Sequence, residues 1–163
     1  VKTWINSLEN SRSIRCMEMY IGDEKIIGCE TFWAVFNTET RRPENLALPH
    51  EDFEKFADRA TLHPFSKIDF QHEMQIVGNH QVKLSDLDIV NHANSVKYLE
   101  WCLDCVDLAI IHNQKIDSFE MNYLKEVSLN DTVKIKQKTS EGNIIFAIER
   151  EEKTCFALQL HCG

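Results

Sequence analysis

The segment from Asn94 to about His112 constrains the fold most, because it carries the apolar spacing of an amphipathic helix of about five turns. Its apolar positions form one wide face: Val96, Leu99, Cys102, Leu103, Val106, Ala109 and Ile110. A helix with one apolar face buries that face against another element. We therefore expect a sheet to lie against this helix.

Strand patterns on both sides of the helix supply such a sheet. Residues 80–86 predict a short strand that ends in polar residues. Four further strands, joined as a meander, are predicted at 117–127, 131–139, 143–150 and 153–162. Along 131–139, Val133 and Ile135 fall on one side and the lysines on the other. One helix against a curved antiparallel sheet is an α+β arrangement.

The first half of the chain has a different layout. Three strands, a loop, a short helix and a connecting segment are predicted, in this order: 1–8, 11–21, 25–37, 40–49, 49–59 and 60–78. Residues 26–36 are apolar on both faces, which predicts a central strand. Pro49 suits the first turn of the short helix.

The two halves share a strand–turn–strand–turn–strand layout, which starts at Val1 and again at Val133. In the second half a strand, the long helix and another strand come before it. We infer a longer protein of two similar units that has lost the start of its first unit. A one-domain chain with an unusual N-terminal extension is the alternative. The predicted organisation is a first unit, a linker and a second unit: 1–59, 60–78 and 79–163.

Composition limits the partners. A formal net charge of −8 argues against a broad nucleic-acid surface, which needs clustered lysine and arginine. We find no apolar run of membrane-spanning length and no secretory signal pattern, so we expect a cytoplasmic protein whose six cysteines are reduced. Cys102 and Cys105 form a CxxC inside the predicted helix, but no second pair has zinc spacing. We expect buried thiols, with no metal and no cofactor.

Polar residues crowd in just before the helix: Ser85, Asp86, Asp88, Asn91, His92 and Asn94. A helix N-terminus presents N–H groups and the positive end of the dipole, so it can hold an anion or a developing thioester oxyanion. Asp88 or His92 beside it can activate water, and the Asn91 amide can orient it. A structural interpretation is equally open: Asp88 makes a turn, and Asn91 or Asn94 caps the helix.

Read as a whole, DLDIVNHANSVKYLEW (86–101) closely resembles the acyl-carrier-protein thioesterases of plants and bacteria, whose second unit carries a pattern like DLDxNxHVNNVKYxxW. The segments TWINS and FWAVFNTETRRP resemble their first unit. These proteins are double hotdogs, in which a long helix is wrapped by an antiparallel sheet. The resemblance implies an α+β tandem double-hotdog fold with a truncated first unit. It also implies release of fatty acid from acyl-acyl carrier protein.

The family's catalytic residues are matched to this sequence one residue at a time. The family's Asp and His fall on Asp88 and His92, and its Glu falls on Glu126, in a predicted strand segment where its Asp falls on Asp131. The family's catalytic Asn falls on Val90, which has no side-chain amide, and Asn91 is the nearby substitute. The resemblance implies direct attack of water, activated by Glu126 or Asp88 and positioned by His92. For Glu126 a surface salt bridge with Lys125 or Lys153 is the alternative.

The predicted substrate-binding residues are Asn94, Trp33, Arg41, Arg42 and Lys97. The three basic residues can meet the acidic helix of an acyl carrier protein, or they are a solvated loop and a helix-surface lysine. Trp33 belongs to an apolar set that either lines an acyl tunnel or packs in a core: Trp4, Phe32, Trp33 and Phe36. In the structural interpretation, Asn94 caps or braces the helix.

Three rival functions remain open at this point. The nearest is an acyl-CoA thioesterase, which the same catalytic residues would serve. A hotdog dehydratase fits the DLDxxxH string less well. A non-catalytic acyl-binding protein fits the valine at position 90. In every case the exposed strand edges and uncovered sheet face of a truncated unit favour a homodimer.

Overall fold

The computed structural model describes residues 1–40, 42–47, 49–70, 73–113, 116–140 and 142–163. Two compact units are present, Val1–Phe65 and Ser66–Gly163. The first unit contains strands β1 (Lys2–Glu9), β2 (Arg12–Ile21), β3 (Glu24–Ala34), β4 (Phe36–Asn37) and β5 (Arg42–Pro43). The second contains β6 (Gln75–Gln81), a 3-10 turn (Leu84–Asp86), α1 (Ser95–Leu103), α2 (Leu108–Asn113), β7 (Ile116–Tyr123), β8 (Thr132–Ser140), β9 (Asn143–Arg150) and β10 (Lys153–Cys162). Within the described ranges, no helix has both the length and the apolar character needed to cross a bilayer.

The second unit is an antiparallel five-stranded sheet in the order β6-β8-β9-β10-β7, with α1 against it. The buried face of α1 carries Tyr98, Trp101 and Cys102, which join Phe146 and Phe156 of the sheet in one apolar cluster. Full burial of a large apolar side chain contributes about 1.5–3 kcal/mol, so this cluster fixes the helix on the sheet. The predicted helix-on-sheet arrangement is confirmed.

The prediction of one continuous helix over 94–112 is wrong, because α1 ends at Leu103 and α2 begins at Leu108. Asp107 starts the second helix: its side chain accepts a hydrogen bond from the Ala109 N–H at 2.8 Å. The apolar spacing continues across the break, which is why the pattern did not reveal it.

Two strand predictions in the second unit also need correction. The strand predicted over 117–127 ends at Tyr123, because the Leu124 and Lys125 N–H groups both donate to the Cys155 carbonyl and interrupt the ladder. This strand, β7, does not begin a meander but pairs with β10 at the far edge of the sheet. The strand predicted over 80–86 is β6, which starts inside the predicted connecting segment and ends before the 3-10 turn.

In the first unit the strands predicted over 1–8 and 11–21 are confirmed as β1 and β2. The sheet order is β1-β2-β3, so β3 is an edge strand and the prediction of a central strand for 26–36 is wrong. The predicted strand 25–37 is also divided at Val35, whose N–H donates to the Ser11 carbonyl. Within the described residues, β3 therefore pairs with β2 along one edge and with no strand along the other.

The helix predicted over 49–59 is absent, and the segment is irregular. Its carbonyls accept hydrogen bonds from side chains of β1: Asn6 Nδ2 donates to the Phe56 carbonyl at 3.1 Å, and Trp4 Nε1 to the Asp58 carbonyl at 2.9 Å. These bonds satisfy carbonyls that a helix would pair internally. Contact with the sheet therefore overrides the local helix pattern.

Glu30 of β3 anchors the end of this segment. Its carboxylate is almost buried and accepts hydrogen bonds from the Arg59 guanidinium and from the N–H groups of Ala60 and Thr61, at 3.2 and 3.3 Å. Burial opposes ionisation, but the bonds from Arg59 and Thr61 outweigh it and hold the pKa of Glu30 below its ordinary 4.5. The carboxylate is therefore ionised in the folded unit.

Glu30→Gln should reduce the acid sensitivity of the fold. A carboxyl with a lowered folded pKa stabilises the protein above its unfolded pKa, and that stabilisation is lost as the pH falls through the folded pKa. Between about pH 5 and pH 3, the thermal midpoint of the wild type should fall more steeply than that of the variant. Calorimetry at several pH values measures both slopes, and parallel slopes would contradict the role given to Glu30.

Candidate active site

The loop before α1 is closed by Asp88. Its Oδ1 accepts hydrogen bonds from the Val90 N–H at 2.9 Å and the His92 N–H at 3.3 Å, and its own N–H donates to the His92 carbonyl at 2.9 Å. Asn91 lies in the turn with φ of +62°, a left-handed conformation that asparagine tolerates well. The predicted turn at Asp88 is confirmed, and it fixes where the His92 backbone lies.

A second loop, after β7, lies against the first. The Ala93 N–H donates to the Val127 carbonyl at 2.9 Å, and His92 forms a β-bridge with Ser128. This pairing places His92 Nδ1 3.7 Å from Glu126 Oε1. The side chains are 41% and 50% exposed, so solvent and a substrate can reach them. The sequence placed Glu126 in a strand; it lies in this loop, beyond the end of β7.

Tyr98 supports the second loop from inside the core and was missed by the sequence analysis. Its hydroxyl accepts a hydrogen bond from the Val127 N–H at 3.1 Å. Burial raises the pKa of Tyr98 to about 12, so the phenol stays protonated at neutral pH. The sequence signal that could have identified Tyr98 was its place in the VKY string of the motif.

Asp131 holds the far end of the same loop. Its Oδ2 accepts a hydrogen bond from the Ser128 N–H at 2.8 Å and is paired with the Arg150 guanidinium. Burial opposes ionisation, but these two contacts outweigh it and lower the pKa of Asp131. The match of this residue to a family aspartate was the signal for it, and its structural partner Arg150 was not foreseen.

Asn94 caps α1, as the structural interpretation predicted. Its Oδ1 accepts a hydrogen bond from the Val96 N–H at 3.1 Å, and its carbonyl accepts one from the Lys97 N–H at 2.9 Å. The amide oxygen of Asn94, a residue predicted to bind substrate, is therefore engaged by the helix. The positive end of the α1 dipole lies beside the loop that carries His92.

The other predicted binding residues belong to both units. Trp33, in β3, is 61% exposed and donates from Nε1 to Thr31 Oγ1 at 2.8 Å. Arg42 is exposed in β5, and Lys97 forms an ion pair with Glu100 at 2.7 Å. Arg41 lies outside the described residues.

The apolar set predicted to line a tunnel or to pack in a core is largely exposed. Phe32, Trp33 and Phe36 are each about half exposed in the first unit. Their exposure contradicts the core-packing alternative for these three side chains. Trp4 is more sheltered and is held by its hydrogen bond to the Asp58 carbonyl.

The six cysteines are free thiols. Burial raises the pKa of Cys102, so this member of the CxxC is an inert core thiol at neutral pH. In the part of the chain that the structure describes, no group of three or more His, Cys, Asp or Glu side chains is placed to hold a metal ion.

Comparison with known proteins gives this geometry a context. A family model described as the acyl-ACP thioesterase C-terminal domain matches residues 68–160, more than half of the chain. A chloroplastic palmitoyl-acyl carrier protein thioesterase of Gossypium hirsutum is 25% identical over 130 residues, which are 76% of this chain and 32% of that protein. The chain thus spans about a third of the length of this curated relative.

Solved structures support the fold. An acyl-ACP thioesterase from Bacteroides thetaiotaomicron has a TM-score of 0.88 at 24% identity, over 99% of this chain and 67% of that chain. A 12:0-ACP thioesterase from Umbellularia californica has a TM-score of 0.81 at 19% identity, over 99% of this chain and 66% of that chain. The predicted α+β hotdog fold class is confirmed.

Substitutions of Asn91 should separate the contribution of its backbone conformation from the contribution of its side-chain amide. Asn91→Gly should leave stability nearly unchanged, because glycine adopts positive φ freely. Asn91→Val should cost about 1–2 kcal/mol in the free energy of unfolding, because a β-branched residue is strained at this φ. Urea unfolding measures both, and a valine variant as stable as the wild type would contradict the left-handed turn. If Asn91 also supplies an amide to chemistry, Asn91→Gly will lose turnover while it stays folded.

Proposed function

The chain belongs to the family of the acyl-ACP thioesterase C-terminal domain, and from this premise we propose that it hydrolyses fatty acyl thioesters of acyl carrier protein in fatty acid biosynthesis. One observation carries the proposal. His92 and Glu126, from separate loops, lie 3.7 Å apart at the start of α1, both open to solvent. This arrangement suits activation of a water molecule.

Glu126 is the proposed general base. Its half-exposed carboxylate accepts a proton from water while the water oxygen bonds to the thioester carbonyl carbon. The C–S bond then breaks, and the thiolate takes up the proton. Because thiol pKa values lie near about 8.5, this leaving group needs little acid assistance. The products are a free fatty acid and the carrier thiol.

Asp88 and His92 have different proposed roles. Asp88 Oδ1 already accepts two backbone N–H groups, which favours Glu126 over Asp88 as the base. His92, with its backbone fixed by that turn, positions the water or shuttles its proton. The positive end of the α1 dipole stabilises the oxyanion that develops on the carbonyl. Asn91 is proposed to supply the amide that Val90 lacks.

The acyl donor and its contacts are also proposals. Names of the relatives favour acyl carrier protein over coenzyme A, the nearest rival donor. Arg42 and Lys97, with Arg41, are proposed to meet an acidic carrier helix, and Trp33 to contact the acyl chain. Lys97 is paired with Glu100, so its contribution to docking depends on exchange of that partner. We propose no nucleic-acid partner and no cofactor.

The organisation into units 1–59 and 79–163 with a linker between them is likewise proposed. So is a cytoplasmic location, which rests on the free thiols. The relative from Gossypium hirsutum is chloroplastic. A plastid would also keep these thiols reduced, so fractionation of the source cells decides between the two.

A homodimer is proposed from the sheet of the first unit. Ile27 and Trp33 lie on one face of the edge strand β3, and Met19 of β2 pairs with Ile27 on that face. They are 53%, 61% and 40% exposed. Segment 56–61 is bonded to the opposite face through Glu30 and Trp4. An exposed apolar face beside an exposed strand edge favours pairing with a second copy.

Glu126→Ala should lower kcat/KM for long-chain acyl-acyl carrier protein by about 10²–10⁴-fold, because the water loses its base. Lys125→Ala, next to it in the same loop, is the control and should keep turnover. Thiol release measures both, with acyl-CoA assayed alongside to rank the donors. Equal turnover in wild type and Glu126→Ala would contradict the assigned base. A folded wild type without turnover on either donor would leave an acyl-binding protein.

Light scattering should give twice the chain mass for the wild type and a shift toward the monomer for Trp33→Ser. Leu62→Ser, which removes an apolar side chain that is 95% exposed, is the control and should leave the dimer intact. A clean monomer at high wild-type concentration would exclude the homodimer.

A further inference from the structure

We propose that Asp86 and His80 are a positioning pair, which holds the loop of Asp88 and His92 in its active geometry. The inference rests on the proposed function and gives neither residue a contact with substrate. It concerns a group that the mechanism above does not use. Asp86 is a buried charged residue, with 6% of its surface exposed.

The carboxylate of Asp86 joins β6 to the segment that follows it. Asp86 Oδ2 lies 2.8 Å from His80 Nε2 and accepts a hydrogen bond from the Lys83 N–H at 2.8 Å. Because a carboxylate only accepts hydrogen bonds, we assign the His80 proton to Nε2. Burial opposes ionisation, but the Lys83 and His80 contacts outweigh it and lower the pKa of Asp86. The pair therefore includes a buried anion at neutral pH.

His80 is itself held in place by the helix. Its ring stacks on Trp101 of α1, with centroids 4.4 Å apart and an angle of 29° between the planes. Trp101 is 4% exposed and belongs to the core cluster. The chain of contacts from Trp101 through His80 to Asp86 thus links the packed face of α1 to the loop before it.

Asp86 reaches both ends of the catalytic loop. In sequence it lies two residues before Asp88, which closes the turn. Through its backbone carbonyl it accepts a hydrogen bond from the N–H of Asn94, the cap of α1, at 2.8 Å. The Leu87–Ala93 bridge lies just inside this bond. One buried residue thus fixes the entry and the exit of the loop that carries His92.

The expected consequence is kinetic. A displacement of about 1 Å in a reacting group can cost on the order of 10²-fold in rate. The apolar cluster of α1 and the sheet does not include Asp86, so the fold keeps its main stabilisation when the pair is broken. Loss of the pair should therefore lower kcat while binding of substrate, and so KM, changes little.

The variants separate the contacts. His80→Phe keeps an aromatic ring on Trp101 and removes the N–H donor. Asp86→Ala removes the acceptor, and Asp86→Asn keeps an acceptor without the charge. Glu30→Gln in the first unit is the matched control, since it also neutralises a nearly buried carboxylate that accepts backbone N–H groups.

We expect kcat to fall by about 10- to 100-fold in His80→Phe and Asp86→Ala, with KM within about twofold of wild type. Asp86→Asn should recover part of the loss, and Glu30→Gln should keep wild-type kcat. Thermal midpoints of the four variants check that all are folded. A wild-type kcat in folded His80→Phe, or an equal loss in Glu30→Gln, would overturn the proposal.

Nuclear magnetic resonance distinguishes failure of this inference from failure of the proposed function. Hydrogen exchange of the Asn94 backbone N–H should be faster in His80→Phe than in the wild type, and the His92 ring resonances should be shifted. Neither change should appear in Glu30→Gln. These signals need no turnover, so they decide the positioning role even for a wild type that hydrolyses neither donor. Unchanged Asn94 exchange and unchanged His92 resonances would overturn it.

Discussion

The candidate site depends on one backbone hydrogen bond, from the Ala93 N–H to the Val127 carbonyl at 2.9 Å. It joins the loop before α1 to the loop after β7, two segments that are separated along the chain by α1, α2 and β7. The sheet order makes the bond possible, because β7 returns to pair with β10 at the edge and leaves its following loop beside the start of α1. His92 and Glu126 flank this bond, so backbone geometry sets their separation, and their side chains are 41% and 50% exposed.

Carboxylates stabilise irregular segments in both units. Asp86, Asp131 and Glu30 each accept backbone N–H groups and pair with a histidine or an arginine, and in each the hydrogen bonds outweigh burial and lower the pKa. Buried N–H groups outside helices and strands need such acceptors. Two of the three lie on either side of the candidate site. The chain thus uses ionised side chains where regular hydrogen bonding ends, and uses apolar packing for the sheet and helix.

Much of the fold was predictable, and the failures have local physical causes. Strand β8 was clear because alternation reports burial on one face of a sheet, and β9 and β10 were clear as short apolar runs bounded by turn residues. The break at Asp107 and the irregular segment after Pro49 were not, because a cap and side-chain bonds from β1 override periodicity there. At the site, the motif pointed to Asp88, His92 and Glu126. It did not show that Tyr98 and Asp86 support the loops, because those contacts arise only when separate segments pack.

The most direct test of the account follows the oxygen atom of the attacking water. A single turnover of acyl-acyl carrier protein in ¹⁸O-labelled water should place one labelled oxygen in the released fatty acid. It should place none in the peptide that contains Glu126, because that carboxylate accepts a proton and forms no bond to the acyl group. Mass spectrometry of both products gives the answer. Label in the Glu126 peptide, or no labelled fatty acid from the folded chain, would contradict direct attack of water at this site.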